Sequence, residues 1–237
     1  MTQPSTAQKP PAGGGRRSAR EPLTRDRIFR AALRFVDEHG LQTLSMRKLA
    51  SELGVEAMSL YNHIDNKDDI LAGVADLVFA EVEIPRQTSD GWSPWTRRVA
   101  HAAREALSNH TNVVPIILAG PNRGTAYLNL MESMVAAMRD AGFDSNMAHH
   151  GWHTLVAHVL GYVLQETATP ILVSTTSARS SGAARSIPLS DLPADDFPHI
   201  VEIAPYLAEC RTVDEFEFGL DVILTGLQAK LDGTLAS

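Results

Sequence analysis

The stretch 44–71, LSMRKLASELGVEAMSLYNHIDNKDDIL, constrains the fold more tightly than any other part of the chain. Ser45 is a helix N-cap, because its hydroxyl accepts from the free amides two and three residues on, and Leu49, Ala50 and Leu53 follow at helical spacing. Gly54 stops that helix. A second, very short helix opens at Glu56 or Ala57 and carries Met58, Ser59, Tyr61, Asn62 and His63. Asn66, with Asp69 three residues later, then caps a third. This is the punctuation of a helix-turn-helix.

A helix that reads base edges needs short side chains near its N-terminus, flanked by cations and phenols that fix it on phosphates. Met58, Ser59 and Asn62 fit the first requirement; Ser45, Arg47, Lys48, Tyr61, His63 and Lys67 fit the second. Helix-turn-helix pairs also serve as plain packing units, and Leu49, Leu53, Val55, Leu60 and Ile64 belong to that local core. For Tyr61 and Lys67 the expectation is contact with double-stranded DNA.

The run LxMRKLAxxLGVxxxSLYxHIxNKDDIL resembles the DNA-binding domain of TetR-type transcriptional repressors, whose LY-x-H-x-x-x-K pattern stands here as Leu60, Tyr61, His63 and Lys67. The resemblance implies an all-α fold: an N-terminal three-helix reader and a larger helical C-terminal domain that dimerises and binds a small molecule. The expected organisation is a basic N-terminal arm over 1–22, the reader over 23–68 and the ligand-binding and dimerisation domain over 69–237.

With 237 residues, few aromatics and much Ala and Leu, the chain has ample material for a helical core. No apolar run approaches the roughly 18 residues of a membrane span and no secretory signal stands out, so the expectation is a cytoplasmic protein without a membrane partner. The single cysteine, Cys210, has no intramolecular partner; it is either a redox sensor or a small core residue. The net charge of -7 argues against a nucleic-acid binder until its distribution is examined. Residues 1–70 hold 11 Lys+Arg against 9 Asp+Glu, and the remainder 10 against 19, so a mildly basic end sits on an acidic body.

Residues 1–22 are rich in Pro, Gly, Ala and Ser, with Arg16, Arg17 and Arg20 clustered; such a segment does not order itself, and is either a minor-groove arm or a solvated tail. Thr24 caps a helix from Arg25 to His39. The helix after Asn66 continues to about Val82. Further helices are expected from Pro94 to Asn109, from Val113 to Ala119 with Pro115 interrupting, from Thr125 to Ala141 closed by Gly142, and from Ser145 to Glu166. Residues 167–193 read as a long gating or disordered loop, Asp195 to Leu207 as a broken helix, and Val213 to Leu231 as the last helix. On that last helix Phe216, Leu220, Ile223, Leu224, Leu227 and Leu231 share a face, with Gly219 and Gly226 permitting close approach. Core packing accounts for such a face; the resemblance instead implies a four-helix bundle between two copies, formed with the helix at Ser145.

The resemblance extends through the C-terminal half, where it is closer to the tetracycline repressors than to the average family member, over GTAYLNLMES, GYVLQE and FEFGLDVILTGLQAKL. It places the family's magnesium-holding histidine at Ile117, a threonine at Gly120 and a metal-anchoring glutamate at Gln165. An asparagine and a phenylalanine fall at Val99 and Ala103, a glutamine at Ser133 and a histidine at Glu83. Magnesium wants oxygen donors, and these replacements offer an aliphatic wall with one amide, so no metal or other cofactor is expected. The expected pocket is mostly apolar, lined by Val99, Ala103, Ile117, Leu130, Ser133, Met134, Trp152, Leu155 and Gln165, with extra room at Ala103, and suits a bulky hydrophobic effector.

His149, His150, His153 and His158 invite a metal reading, since His149 and His153 stand four apart on one helix face, but no HExxH glutamate or third acidic ligand accompanies them. A metal-dependent helical enzyme using that cluster is the alternative outside the regulator class. Ser45 to Lys48 fits S-x-x-K without its companion motifs, and neither a nucleophile elbow nor a P-loop is present. The main expectation is a homodimeric repressor that leaves a palindromic operator when a small molecule binds, not an enzyme; a TetR-like activator or a regulator controlled by a protein partner fits the same residues.

Overall fold

The computed structural model describes residues 22–86, 89–120, 124–173, 191–208 and 212–234. Residues 1–21 of the arm, most of the 167–193 loop and Cys210 lie outside them. Among the described residues the chain is all-helical. α1 (Arg25–His39), α2 (Met46–Leu53), α3 (Ala57–Leu60) and α4 (Lys67–Ala80) come first. α5 (Trp92–Asn109), α6 (Val114–Ala119), α7 (Thr125–Asp140), α8 (Ser145–Val173), α9 (Pro198–Ala208) and α10 (Thr212–Leu231) follow.

The N-terminal helices start and stop where their capping chemistry dictates. Thr24 accepts from the amide of Arg27, and Ser45 from that of Lys48. Gly54 takes the left-handed conformation at φ +66°, and the next amide, Val55, reaches back to the Ala50 carbonyl at 3.0 Å, which closes α2. Ile28, Val36, Leu49, Leu60, Ile64 and Val74 are buried together. α4 packs on α1 and also on α5, α6 and α7, so one continuous helix belongs to both halves.

Several boundaries differ from expectation for local reasons. Pro115 does not interrupt α6; it lies in the first turn, where its missing amide costs no hydrogen bond. α5 begins at Trp92, following Gly91 at φ +94°. α4 ends at Ala80 because the amides of Glu81 and Val82 tighten onto the carbonyls of Val78 and Phe79. α8 runs on to Val173, which takes seven residues from the expected loop. The broken helix is a single α9 with Pro205 inside it.

The stripe Phe216, Leu220 and Leu224 of α10 is buried within the chain, against α8. A Cβ on Gly219 would lie 2.4 Å from the His158 ring, so close approach is real there, whereas Gly226 faces open space. A different stripe of α10, Phe218 and Val222, stays exposed. Among the described residues no helix is long and apolar enough to cross a membrane.

Candidate DNA-reading and effector sites

Three long-range contacts hold the helix-turn-helix in shape. The Arg25 guanidinium donates to the His63 carbonyl at 2.7 Å and to the Asp69 carboxylate at 2.6 Å, joining α1 to the turn after α3 and to the first turn of α4. Asn66 caps α4 by accepting from the Asp69 amide at 3.0 Å. The Lys67 ammonium donates to the Leu44 carbonyl at 3.0 Å, just ahead of α2.

On this frame Ser45, Arg47, Lys48, Met58, Tyr61, Asn62 and Lys67 are exposed, and Ser59 and His63 are half-buried. Met58 is 74% exposed and Tyr61 47%, large for an apolar and an aromatic side chain with no enclosed function. The expected short helix is shorter still: α3 stops at Leu60, and Tyr61 to His63 form a turn closed by bonds from the amides of His63 and Ile64 to the Leu60 carbonyl. Leu60 is fully buried and anchors that turn, so its neighbours Ser59 and Tyr61 point elsewhere.

Beneath α4 lies an apolar cavity of about 50 Å³. Val99, Ala103, Leu130, Met134, Trp152 and Leu155 line it, as expected; Ile117, Ser133 and Gln165 do not. Ile117 is buried outside the lining, the Ser133 hydroxyl donates to the Asn129 carbonyl at 2.8 Å, and Gln165 is exposed. Phe79, Ala100, Leu107, Val156, Val159 and Leu160 complete the wall. No lining residue offers an oxygen side chain for magnesium. Phe79 of α4 also lines this cavity, and its ring meets Tyr127 at 5.0 Å, which in turn meets Trp152 at 5.9 Å.

Sequence reasoning passed over three residues that tie α1 and α4 into the body. Asp76 accepts from the amides of Ala126 and Tyr127 at 2.9 and 3.2 Å, and so caps α7 from another helix. His110 sits between Asp37, at the end of α1, and Glu81, just past α4, at 2.8 and 2.9 Å. Burial pushes its pKa down, but the hydrogen bonds to Glu81 and Asp37 and their charge prevail, and it lies above the ordinary histidine value. Asn112 donates to the carbonyls of Val36 and Asp37, both at 3.2 Å. Only an aspartate ten residues after the Asn66 cap and a histidine just past a helix end marked the first two, and neither signal is specific.

The histidines divide. His149 and His153 have ring centres 4.5 Å apart, while His158 stacks on Phe216 at 4.9 Å and donates to the Phe216 carbonyl at 3.0 Å. Among the described residues no group of three or more His, Cys, Asp or Glu is arranged to hold a metal ion.

Two family models match the chain. "Bacterial regulatory proteins, tetR family" covers residues 28–74, and "Tetracyclin repressor-like, C-terminal domain" covers residues 84–231. An HTH-type transcriptional regulator of Saccharopolyspora erythraea is 36% identical over 121 residues, which is 51% of either chain. The class A tetracycline repressor from transposon 1721 of Escherichia coli is 30% identical over 203 residues, 84% of this chain and 88% of the repressor. The crystal structure of the Streptomyces coelicolor TetR family protein ActR in complex with actinorhodin superposes with a TM-score of 0.78 at 29% identity, over 89% of this chain and 99% of that one.

Proposed function

The chain belongs to the TetR family of transcriptional regulators, with a C-terminal domain like that of the tetracycline repressors, and on that premise we propose that it is a cytoplasmic, homodimeric repressor released from DNA by a largely hydrophobic small molecule. Its relatives are regulators rather than enzymes. Residues 23–68 read a palindromic operator, with Met58, Ser59 and Asn62 toward base edges and Arg47, Lys48, Tyr61, His63 and Lys67 toward phosphates. Residues 69–237 bind the effector and the second copy.

The observation that carries this reading is the placement of α4. Its first turn completes the reader through Lys67 and Asp69, and its penultimate residue, Phe79, lines the apolar cavity of the body. An effector that enlarges the cavity presses on Phe79 and tilts α4. In a two-fold dimer the readers must meet successive major grooves about 10 bp apart or a multiple of that, and a tilt takes them out of register. The wholly apolar lining supports a hydrophobic effector and disfavours magnesium-tetracycline. That ActR is known in complex with actinorhodin supports a small-molecule site in this fold.

Dimerisation is supported by surface the single chain leaves uncovered: Phe218 and Val222 on α10, Phe197 just ahead of α9, and Ile200, Ile203 and Tyr206 at intervals of three along α9.

The test is a footprint on the DNA flanking the protein's own gene at two salt concentrations, with and without a panel of hydrophobic compounds. A protected palindrome, weakened by salt and released by one of the compounds, is expected. Absence of protection at low salt would overturn the DNA reading; protection that no hydrophobic compound relieves would overturn the effector class.

A further inference from the structure

A larger space lies beside the apolar cavity of the body. Where α4, α6 and α7 meet beside Leu41 of the reader, a cleft of about 490 Å³ opens, which is within the range of small-molecule sites and about ten times the 50 Å³ of the body cavity. Phe79 lines both spaces. The cleft has aliphatic walls, among them Leu71 and Ile116, an aromatic end at Phe79 and Tyr127, and two carboxylates, Asp68 and Asp76. Among the described residues no Lys, Arg or His lines it.

The two carboxylates stand eight residues apart on one helix, a span of about 12 Å at 1.5 Å per residue. Asp76 is engaged with the amides that open α7, so Asp68, in the exposed first turn of α4, is the group placed to meet a ligand charge. We propose that this junction cleft is a second effector site, which takes an apolar molecule carrying one amine: the ammonium against Asp68, the apolar body along α4 toward Phe79 and Tyr127. An occupant there touches reader and body together, and the inference that it changes DNA affinity rests on the DNA-reading function proposed above. Lys67, the neighbour of Asp68, holds the Leu44 carbonyl ahead of α2, which gives a strain on this end of α4 a direct route to the reader.

The probes are 4-phenylbutylamine and its uncharged counterpart 4-phenyl-1-butanol, titrated calorimetrically into the DNA-free protein. The amine is expected to bind about fivefold or more tighter than the alcohol, with the difference shrinking in high salt. Asp68→Asn should bring the amine down to the alcohol's level. Ala72→Trp, at an exposed position of the lining, should abolish binding of both without lowering the melting temperature. Equal affinity for amine and alcohol, or amine binding that survives Ala72→Trp, overturns the proposal. The same amine is then added to an operator titration: weakened DNA binding in the wild type but not in Ala72→Trp supports the coupling, and unchanged DNA binding by amine-loaded protein overturns it. A protein that binds no operator sinks the regulator reading alone, since the calorimetry involves no DNA.

Discussion

The carboxylate of Asp76, on α4, lies 2.9 Å from the amide of Ala126 in the first turn of α7, so one helix supplies the cap of another. Gly124 makes the approach possible: its φ of -67° suits any residue, yet a Cβ there would fall 2.0 Å from the Asp76 carboxylate. Asp76→Ala should cost about 1 kcal/mol in urea unfolding, the usual worth of an N-cap, while Asp76→Asn retains most of it. Gly124→Ala should also destabilise, and less so in the Asp76→Ala background, because the clash is with that side chain. A double-mutant cycle that gave strictly additive losses would show that the two residues do not share this contact.

Reader and frame separate at Tyr61 and Lys67. Tyr61 is exposed and Tyr61→Ala should leave stability within about 0.5 kcal/mol of the wild type, yet weaken operator binding by about 1 to 3 kcal/mol across sequences. Lys67→Ala removes the bond to Leu44 as well, so it should lower both DNA affinity and, by about 1 kcal/mol, stability. Equal operator affinity and salt slope for Tyr61→Ala and the wild type would remove Tyr61 from the interface. Substitution of Asn62 should instead change which base is preferred.

How far these sites were legible follows from the kind of signal each leaves. Thr24, Ser45, Gly54 and Asn66 act on neighbours three or four residues away, so their spacing alone locates α1, α2 and α4. The end of α3 was not legible, because it depends on Leu60 being drawn into the core and on Arg25 holding the His63 carbonyl from 38 residues away. Six of the nine expected pocket residues meet at one cavity because helical periodicity sorts them onto inward faces; Gln165 points out because α8 presents that position to solvent. The stripe on α10 was visible, but periodicity cannot say whether a face packs on its own chain or on a second copy, and Phe216, Leu220 and Leu224 pack on their own. Asp76 and His110 work only through partners brought close by the tertiary fold, and no local pattern announces them.

The apolar cavity of the body is small, about 50 Å³, so its response to added volume is informative. Ala103 is a half-buried residue of its lining, and Ala103→Phe would occupy the space an effector must open. Operator affinity should change little, while the concentration of effector needed for release rises about tenfold or more. Release by the same concentration in Ala103→Phe would place the effector elsewhere.

His110 makes the joint between α1, α4 and α5 dependent on pH. Its two ring nitrogens face the carboxylates of Asp37 and Glu81, and the imidazolium form is the one that donates to both at once. Its folded pKa is raised, so the stability it contributes is complete below the unfolded value of about 6.5 and is lost as pH climbs through the folded value. The His110 side chain is 14% exposed and Asp37 27%, whereas Glu81 is 47% exposed, so solvent screens the Glu81 contact more than the Asp37 one. His110→Gln should therefore melt about 2 to 4 °C below the wild type at a pH under 6, with the gap narrowing as the pH is raised toward 9. A gap that stayed constant over that range, or widened, would mean that the proton is not part of the clasp. The same titration, followed by operator binding, reads whether slackening this joint loosens the reader: affinity of the wild type should fall over the window in which the melting gap closes, and that of His110→Gln should stay flat through it.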